Sequence, residues 1–209
     1  MNARRARIAA LALGGALFVA SVANAAPPGS RDPDWPCQQI KVSELSLAAV
    51  WGGPPVDPQQ IDWQHDQSVA DLVRKVAQRR EPLAQAQDEI HAFAQQAKEQ
   101  KGQKLLALLV GLFSVLDDER STVIAGLDRF GIRQKELAAG IRDDNAKLRQ
   151  LQGDAAADAS TVNQMVQRVT WEAEVFQDRR QVLSYACDVP GKIEQRLFGL
   201  ARTIQQELQ

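Results

Sequence analysis

Apolar residues between positions 106 and 151 recur at alternating steps of three and four residues. Eleven of the fourteen positions in this series carry Leu, Phe, Val or Ile, and the exceptions are Arg120, Gln134 and Asp144. A spacing that averages 3.5 residues presents one stripe of a helix to a partner helix along its length. The pattern therefore predicts a long helical arm over about 104–152. Three glycines and the acidic run 117–119 mark points where this arm could break.

A second series with the same spacing predicts a returning arm over about 158–187. Its apolar stripe is expected at Ala159, Val162, Val166, Val169, Ala173, Phe176, Arg180, Leu183 and Cys187. The segment 153–158 between the arms reads as a turn because it holds glycine, aspartate and alanine. Folding the chain there places 141 opposite 169 and 127 opposite 183. In this register Arg180 would contact the ring of Phe130, and Cys187 would lie beside Val123.

Shorter helices are predicted on both sides of the two arms. Ser68 and Asp71 fit a capping box that opens a helix from Val69 to about Arg80. A second helix is expected to begin at Pro82 and to end at Lys101-Gly102. The last helix, over 190–208, carries an apolar stripe that needs a partner. The uniformly apolar run 105–116 is the expected partner, since it is too short to cross a membrane.

The segment before these helices is rich in proline and tryptophan. Seven of the nine prolines lie between Pro27 and Pro58, which favours extended or turning backbone, apart from a short helix over about 42–50. The segment 26–66 also holds three of the four tryptophans, at positions 35, 51 and 63. Large aromatic rings are usually buried when a core is available. The segment is therefore predicted to be a strap that lies across the helical body.

These patterns predict an all-α fold: an elongated helical bundle with a long antiparallel, coiled-coil-like hairpin and an extended Pro/Trp-rich strap at its N-terminal side. The predicted divisions are a signal peptide over 1–25, the strap over 26–66 and a helical domain over 67–209.

The first 25 residues have the three parts of an export signal. Three arginines at positions 4, 5 and 7 precede a run of 15 residues without charge, Ile8 to Val22, and Ala23-Asn24-Ala25 offers small residues for cleavage. The alternative is a retained membrane anchor, although the run is shorter than the roughly 20 residues that span a bilayer. We therefore expect a periplasmic protein with no stable membrane anchor after cleavage.

The two cysteines, Cys37 and Cys187, both follow the predicted cleavage site. An oxidising compartment usually pairs two such thiols, so we expect one disulfide. Two buried free thiols or a reactive pair are the alternatives, and a redox-active pair more often has Cys-x-x-Cys spacing.

Four short motifs resemble an uncharacterised group of exported helical proteins from proteobacteria. They are Asp34-Trp35-Pro36-Cys37, Val50-Trp51-Gly52-Gly53-Pro54, Arg79-Arg80-Glu81-Pro82-Leu83 and Tyr185-Ala186-Cys187-Asp188-Val189-Pro190. The resemblance extends along most of the mature chain. It implies no activity, and it supports treating the two cysteines as a pair.

Most catalytic and metal-binding chemistries lack the residues they need. The 25 basic and 26 acidic residues leave no positive excess for a nucleic-acid backbone. His65 and His91 have no further ligands at zinc spacing, and the paired aspartates lack the pattern of a calcium loop. No Gly-x-Ser-x-Gly motif is present. We therefore expect no cofactor, no metal, no nucleic-acid partner and no enzymatic activity.

The remaining interpretation is a non-enzymatic interaction protein of the periplasm, a scaffold, adaptor or chaperone-like factor of the cell envelope that acts through the hairpin. Its partner would be an envelope protein or a second copy of the chain. The candidate interaction residues are Trp51, Gly52 and Gly53 in the strap and Gly153, Asp154 and Asp158 in the turn. The alternative is a small-ligand or lipid-binding bundle that uses the apolar faces around 105–116. Gln134 and Asp144 either specify the helix register or lie where the seam is exposed.

Overall fold

The computed structural model describes residues 32–209, in which the chain forms helices and no strand. The elements in chain order are α1 (Leu47–Val50), a 3-10 turn (Pro58–Gln60), α2 (Gln67–Val76), α3 (Leu83–Ala97), a 3-10 turn (Lys98–Gln100), α4 (Lys101–Gly153), α5 (Ala159–Cys187) and α6 (Val189–Glu207). The predicted all-α fold, with its hairpin and strap, is confirmed. The predicted signal peptide lies outside the described residues.

Helices α2, α3 and α6 surround the first third of α4 and form a compact base. The run 105–116 of α4 is apolar on several sides, so that it can contact three helices at once. The predicted stripe of α6 covers it: Ile193, Leu197, Leu200 and Ile204 are fully buried. The fully buried α4 residues in the same core are Leu105, Leu108, Leu109, Leu112 and Leu116.

Helix α2 begins at a cap that the sequence analysis misassigned. The Asp66 carboxylate, not Ser68, accepts the first free backbone N–H groups, from Ser68 at 3.0 Å and Val69 at 3.2 Å. Hydrogen bonds from the Ser68 hydroxyl and from Lys104 help to lower the pKa of Asp66 to about 2. An aspartate is a strong N-cap because its charge also complements the helix dipole. The helix ends at Val76, four residues before the predicted end.

The junction between α3 and α4 also differs from its prediction. Helix α3 ends at Ala97, not at Lys101-Gly102. Lys98 adopts a positive φ of 49°, which turns the backbone out of the helix before a 3-10 turn leads into α4. Gly102 therefore lies inside the first turn of α4 rather than at the end of α3.

Helix α4 is continuous over 53 residues, including the acidic run 117–119. At 1.5 Å per residue it is about 80 Å long. The strap explains one of the glycines within it. A Cβ atom on Gly131 would lie 2.0 Å from the carbonyl oxygen of Asp34, so only glycine permits this approach. The loss of helix propensity at this position therefore has a packing reason.

The strap, from residue 32 to Asp66, is extended apart from α1 and a 3-10 turn. Its short helix covers Leu47–Val50 rather than the predicted 42–50, and the Ser46 hydroxyl caps it. Trp51 and Trp63 are half-buried against the core of the base, together with Leu45, Leu47, Val56 and Ile61. Apolar packing therefore fixes the second half of the strap, as the tryptophans predicted.

Candidate functional site

The turn at the tip of the hairpin brings three of the candidate interaction residues together. Helix α4 ends at Gly153, and the Asp154 carboxylate accepts a hydrogen bond from the N–H of Ala156 at 2.9 Å. Asp158 caps α5 by accepting from the N–H of Thr161 at 2.9 Å. This backbone hydrogen bond is the main cause that lowers the pKa of Asp158. All three candidates are exposed, and the two carboxylates hold the shape of the turn.

The other three candidates, Trp51, Gly52 and Gly53, lie at the opposite end of α4. The Trp51 indole donates to the carbonyl of Pro54 at 2.7 Å, and its ring lies against Gly53, where a Cβ atom would come within 2.3 Å. Gly52 faces Gln205 near the end of α6. Because Trp51 also packs against the core, this turn belongs to the structure of the base. The structure does not bring the two groups of candidates together.

Cys37 and Cys187 form a disulfide, with their Cα atoms 5.7 Å apart. The bond joins the first part of the strap to the C-terminal end of α5. It lies far from the hairpin tip, as the register of the two arms predicted. The neighbouring residue Asp188 is the one residue that separates α5 from α6.

Two polar side chains on the α4 seam are buried against α5. Gln134 is 8% exposed and donates to the carbonyl of Phe176, which is opposite to it in the predicted register. Asp144 is 3% exposed, and its carboxylate lies 2.8 Å from the Arg168 guanidinium. The expectation that the seam is exposed near Asp144 is therefore wrong. Both residues contact the partner helix, which the hypothesis of a register-specifying role requires.

The apolar stripe of α5 was assigned to the wrong positions in part. Val162, Val169, Phe176 and Leu183 are half-buried and Cys187 is buried as predicted, but Ala159, Val166, Ala173 and Arg180 are exposed. The other half-buried residues of α5 are Met165, Glu172, Val175 and Ala186, of which Met165 and Glu172 lie one position before the exposed Val166 and Ala173. The polar Glu172 occupies a seam position because Arg168 pairs with it at 3.0 Å. The predicted contact of Arg180 with Phe130 does not occur among the described cation–π contacts.

One face of the hairpin carries an apolar surface that the sequence analysis did not single out. Trp171, Val182 and Tyr185 of α5 are 64%, 62% and 68% exposed. A groove of about 260 Å³ runs between α4 and α5 with Val182 in its lining, which is apolar: Val123, Gly126, Leu127, Phe130, Val182, Leu183 and Ala186. We call these residues, with Trp171 and Tyr185, the hairpin groove. Their spacing on α5 gives a weak signal: Trp171, Val175, Val182 and Tyr185 fall in a series with steps of four and three, but the charged Asp178 interrupts it.

Two buried arginines hold separate parts of the molecule together, and neither was predicted to do so. Arg120 is 1% exposed, contacts Glu194 of α6 at 2.6 Å and donates to the carbonyl of Val42 at 2.5 Å. Arg196 donates to the carbonyls of Val76 and Glu81, both at 2.8 Å through separate nitrogens. Burial lowers the pKa of Arg196. Arg196 thus satisfies a free carbonyl at the C-terminal end of α2 and another in the segment that follows it.

The two histidines pair with single carboxylates. His91 lies 2.6 Å from Glu207 of α6, and His65 pairs with Asp62 in the strap. Within residues 32–209 no three His, Cys, Asp or Glu side chains converge as metal ligands would. In the same part of the chain, no helix combines the length and apolar character that a membrane crossing requires.

Comparison with known proteins gives no relative. No family model matches the chain, and neither a curated protein nor a solved structure is significantly similar to it. The resemblance to exported proteobacterial proteins therefore stays a prediction, and functional interpretation depends on the geometry of the molecule.

Proposed function

We propose that this protein is a non-enzymatic interaction protein of the periplasm that binds an envelope protein or a second copy of itself through the hairpin. The observation that carries the proposal is the hairpin groove. Val182 lines an apolar groove and is mostly exposed, and Trp171 and Tyr185 of the same helix also expose most of their surface to solvent. Exposed apolar surfaces commonly mark binding sites, and aromatic residues often anchor such interfaces.

The position of the groove supports a role in binding rather than in stability. The base already has its own fully buried core, so these side chains are not needed to complete it. Beyond the base the hairpin has only two helices, which leaves the outer faces of α4 and α5 available. A partner helix laid along the groove would complete a small bundle in the way that amphipathic helices usually dock.

The periplasmic part of the proposal is supported by the export-signal pattern and by the disulfide. Disulfides persist in oxidising compartments such as the periplasm and are rare in the cytosol.

The alternative of a ligand-binding bundle requires accessible apolar faces around 105–116. The apolar run 105–116 is covered by α2, α3 and α6, and Leu105, Leu109 and Leu112 are fully buried. The contacts within the base therefore favour the interaction protein over this alternative.

The proposal is tested by in-cell photocross-linking. A photoreactive residue is placed at Trp171 or Tyr185 in the groove, at Ala156 in the tip, and at Gln177 as a control. Gln177 is exposed on the same helix but points to a different side from Trp171. We expect the same adduct from both groove positions and none from Gln177. Mass spectrometry then identifies the partner, and light scattering on purified protein separates a second copy from another protein.

A paired variant shows whether the adduct depends on the groove itself. Trp171→Ala combined with Tyr185→Ala should abolish the adduct formed from a probe at Val182 without changing the far-UV circular dichroism. Gln177→Ala is the matched control and should leave the adduct unchanged. Equal adducts from groove and control positions, or none from either groove or tip, would contradict the proposed function.

A further inference from the structure

The first part of the strap, residues 32–42, lies along the hairpin. It contacts four residues of α4: Arg120, Asp128, Gly131 and Lys135. From here on, 'the arm' means this segment, residues 32–42, and not either helix of the hairpin. Its non-covalent contacts with the hairpin are mainly polar. Lys135 pairs with Asp34 at 2.8 Å, and Lys41 pairs with Asp128 at 2.8 Å. The Gln39 amide donates to the carbonyl of Cys187, and Arg120 donates to that of Val42.

The arm differs from the rest of the strap in having little apolar anchorage. Ile40 is 84% exposed and Val42 is 50% exposed. Trp35 is half-buried, but its indole donates to the carbonyl of Gln39 within the arm at 2.7 Å. The side chains of the strap that pack against the core begin only at Leu45. The arm is therefore held by partly exposed ion pairs, a few hydrogen bonds and one covalent bond.

We propose that the Cys37–Cys187 disulfide is a releasable clasp: its reduction frees the arm from the hairpin while the base and the hairpin keep their fold. Exposed ion pairs contribute little to stability, and ordering a segment of about ten residues costs conformational entropy at every residue. Once the covalent bond is lost, the polar contacts of residues 32–41 are too weak to keep them in place, and the buried hydrogen bond from Arg120 to the carbonyl of Val42 marks the point at which the arm stays attached. Release uncovers Ile124, which is 6% exposed, and the buried backbone at Gly131.

The reductant that this step needs is a dithiol. Cys37 is the more exposed of the two cysteines, so one thiolate of the dithiol attacks its sulfur. The S–S bond breaks, Cys187 leaves as a thiolate and takes up a proton, and a mixed disulfide forms at Cys37. The second thiol of the dithiol then attacks the mixed disulfide. Both cysteines end as thiols, and the dithiol becomes a disulfide.

Limited trypsin digestion tests the clasp at Lys41, whose side chain is 19% exposed and paired with Asp32 and Asp128. The oxidised protein is compared with protein that has been reduced by dithiothreitol and blocked with iodoacetamide. After quenching and full reduction, mass spectrometry measures the peptide that ends at Lys41. We expect cleavage there to become at least tenfold faster in the reduced protein. Cleavage after Lys98, in the exposed break before α4, is the internal control and should stay unchanged.

Two variants complete the test. Cys37→Ser removes the clasp without a blocking group and should also accelerate cleavage at Lys41 with unchanged helicity. Lys135→Ala in the oxidised protein removes a polar contact but keeps the clasp, and should change the Lys41 rate by less than twofold. An unchanged Lys41 rate after reduction would show that non-covalent contacts hold the arm. Faster cleavage at Lys41 and Lys98 together, with loss of helicity, would show that the disulfide supports the whole fold; either result overturns the proposal. Neither result affects cross-linking from the hairpin groove. The clasp and the proposed interaction function can therefore be contradicted independently of each other.

Discussion

The base and the outer hairpin share helix α4, yet they bury their residues in different ways. In the base, α4 and α6 contribute fully buried leucines and isoleucines to a core shared by four helices. Along α5, only Cys187 is buried, and the rest of the seam is half-buried. The outer seam also includes the buried polar residues Gln134 and Asp144. We therefore expect the base to supply most of the stability, whereas the hairpin leaves more of its apolar surface exposed.

The largest expected effect is the loss of a core leucine from the base. Leu197→Ala should lower the free energy of unfolding by about 3 kcal/mol, because it removes a fully buried side chain and leaves a cavity. Leu148→Ala, on the half-buried outer seam, should cost about 1 kcal/mol, since it removes less buried area. Urea unfolding measures both. Equal costs would show that the hairpin is as tightly packed as the base.

Removal of the buried guanidinium in the base should have the next largest effect. Arg196→Met leaves the carbonyls of Val76 and Glu81 without their donor and should cost about 2 kcal/mol in urea unfolding. Arg196→Lys is the matched control and should recover part of this loss, because an ammonium group can reach one carbonyl. If the Met variant is as stable as the wild type, the end of α2 does not depend on this contact.

The buried carboxylate of the hairpin should be less costly to replace. Asp144→Ala should lower the free energy of unfolding by about 1 kcal/mol, because its partner Arg168 can return to solvent with a side chain that is already 62% exposed. Asp144→Leu should be neutral or stabilising, since buried ion pairs are often matched by apolar packing. A cost of several kcal/mol for Asp144→Leu would indicate that the ion pair is essential to the hairpin.

The N-cap of α2 gives a prediction for the dependence on pH. The pKa of Asp66 is lowered to about 2 in the folded protein, below its ordinary value of 3.8. A lowered pKa stabilises the fold above pH 4, and this contribution is lost as the pH falls from about 4 to 2. Asp66→Ala should therefore cost about 1 kcal/mol at pH 7, and its difference from the wild type should shrink over that range. Urea unfolding from pH 7 to 2.5 measures the difference, and a difference independent of pH contradicts the role of the charge.

The equivalent cap at the tip should have the smallest effect on global stability. Asp158→Ala removes the acceptor for the N–H of Thr161, which is in an exposed turn. The first turn of α5 should fray while the unfolding midpoint of the whole protein stays unchanged. Amide hydrogen exchange should be faster at Thr161 but unchanged at Leu197. A shifted midpoint would mean that the tip and the base unfold as one unit.

The sequence predicted the features that depend on apolar periodicity. The regular stripe in α4 predicted one long helix, although its glycines and the acidic run 117–119 left its continuity open; the helix is unbroken, and of these glycines Gly131 contacts the strap. The pairing of α6 with 105–116 could be predicted because the apolar stripe of α6 and the apolar run 105–116 each needed a partner surface. In α5 the same reasoning assigned Val166 and Ala173 to the seam, because it ranked apolar side chains above Glu172. That glutamate is paired with Arg168, and a stripe of hydrophobicity does not reveal such a pair.

Features that depend on backbone acceptors from distant segments were not predictable. Arg120 donates to a backbone carbonyl of the strap, and Arg196 donates to one at the end of α2. Because every residue has a backbone carbonyl, the sequence does not reveal which one an arginine will contact. The break at Lys98 requires a positive φ that the residue type does not suggest. The hairpin groove was not predicted for a different reason: Trp171, Val182 and Tyr185 lie on another side of α5 from the regular seam, and the charged Asp178 interrupts their series.

Because α4 runs without interruption from the core of the base to the end of the hairpin, it acts mechanically as a lever. A rigid rod of about 80 Å that pivots by five degrees at one end moves its other end by about 7 Å. A small change in the packing of Leu105 and Leu109 would therefore move the turn at 153–158 by a distance comparable to the length of a side chain. A contact that tilts one end of this helix would thus displace the other end.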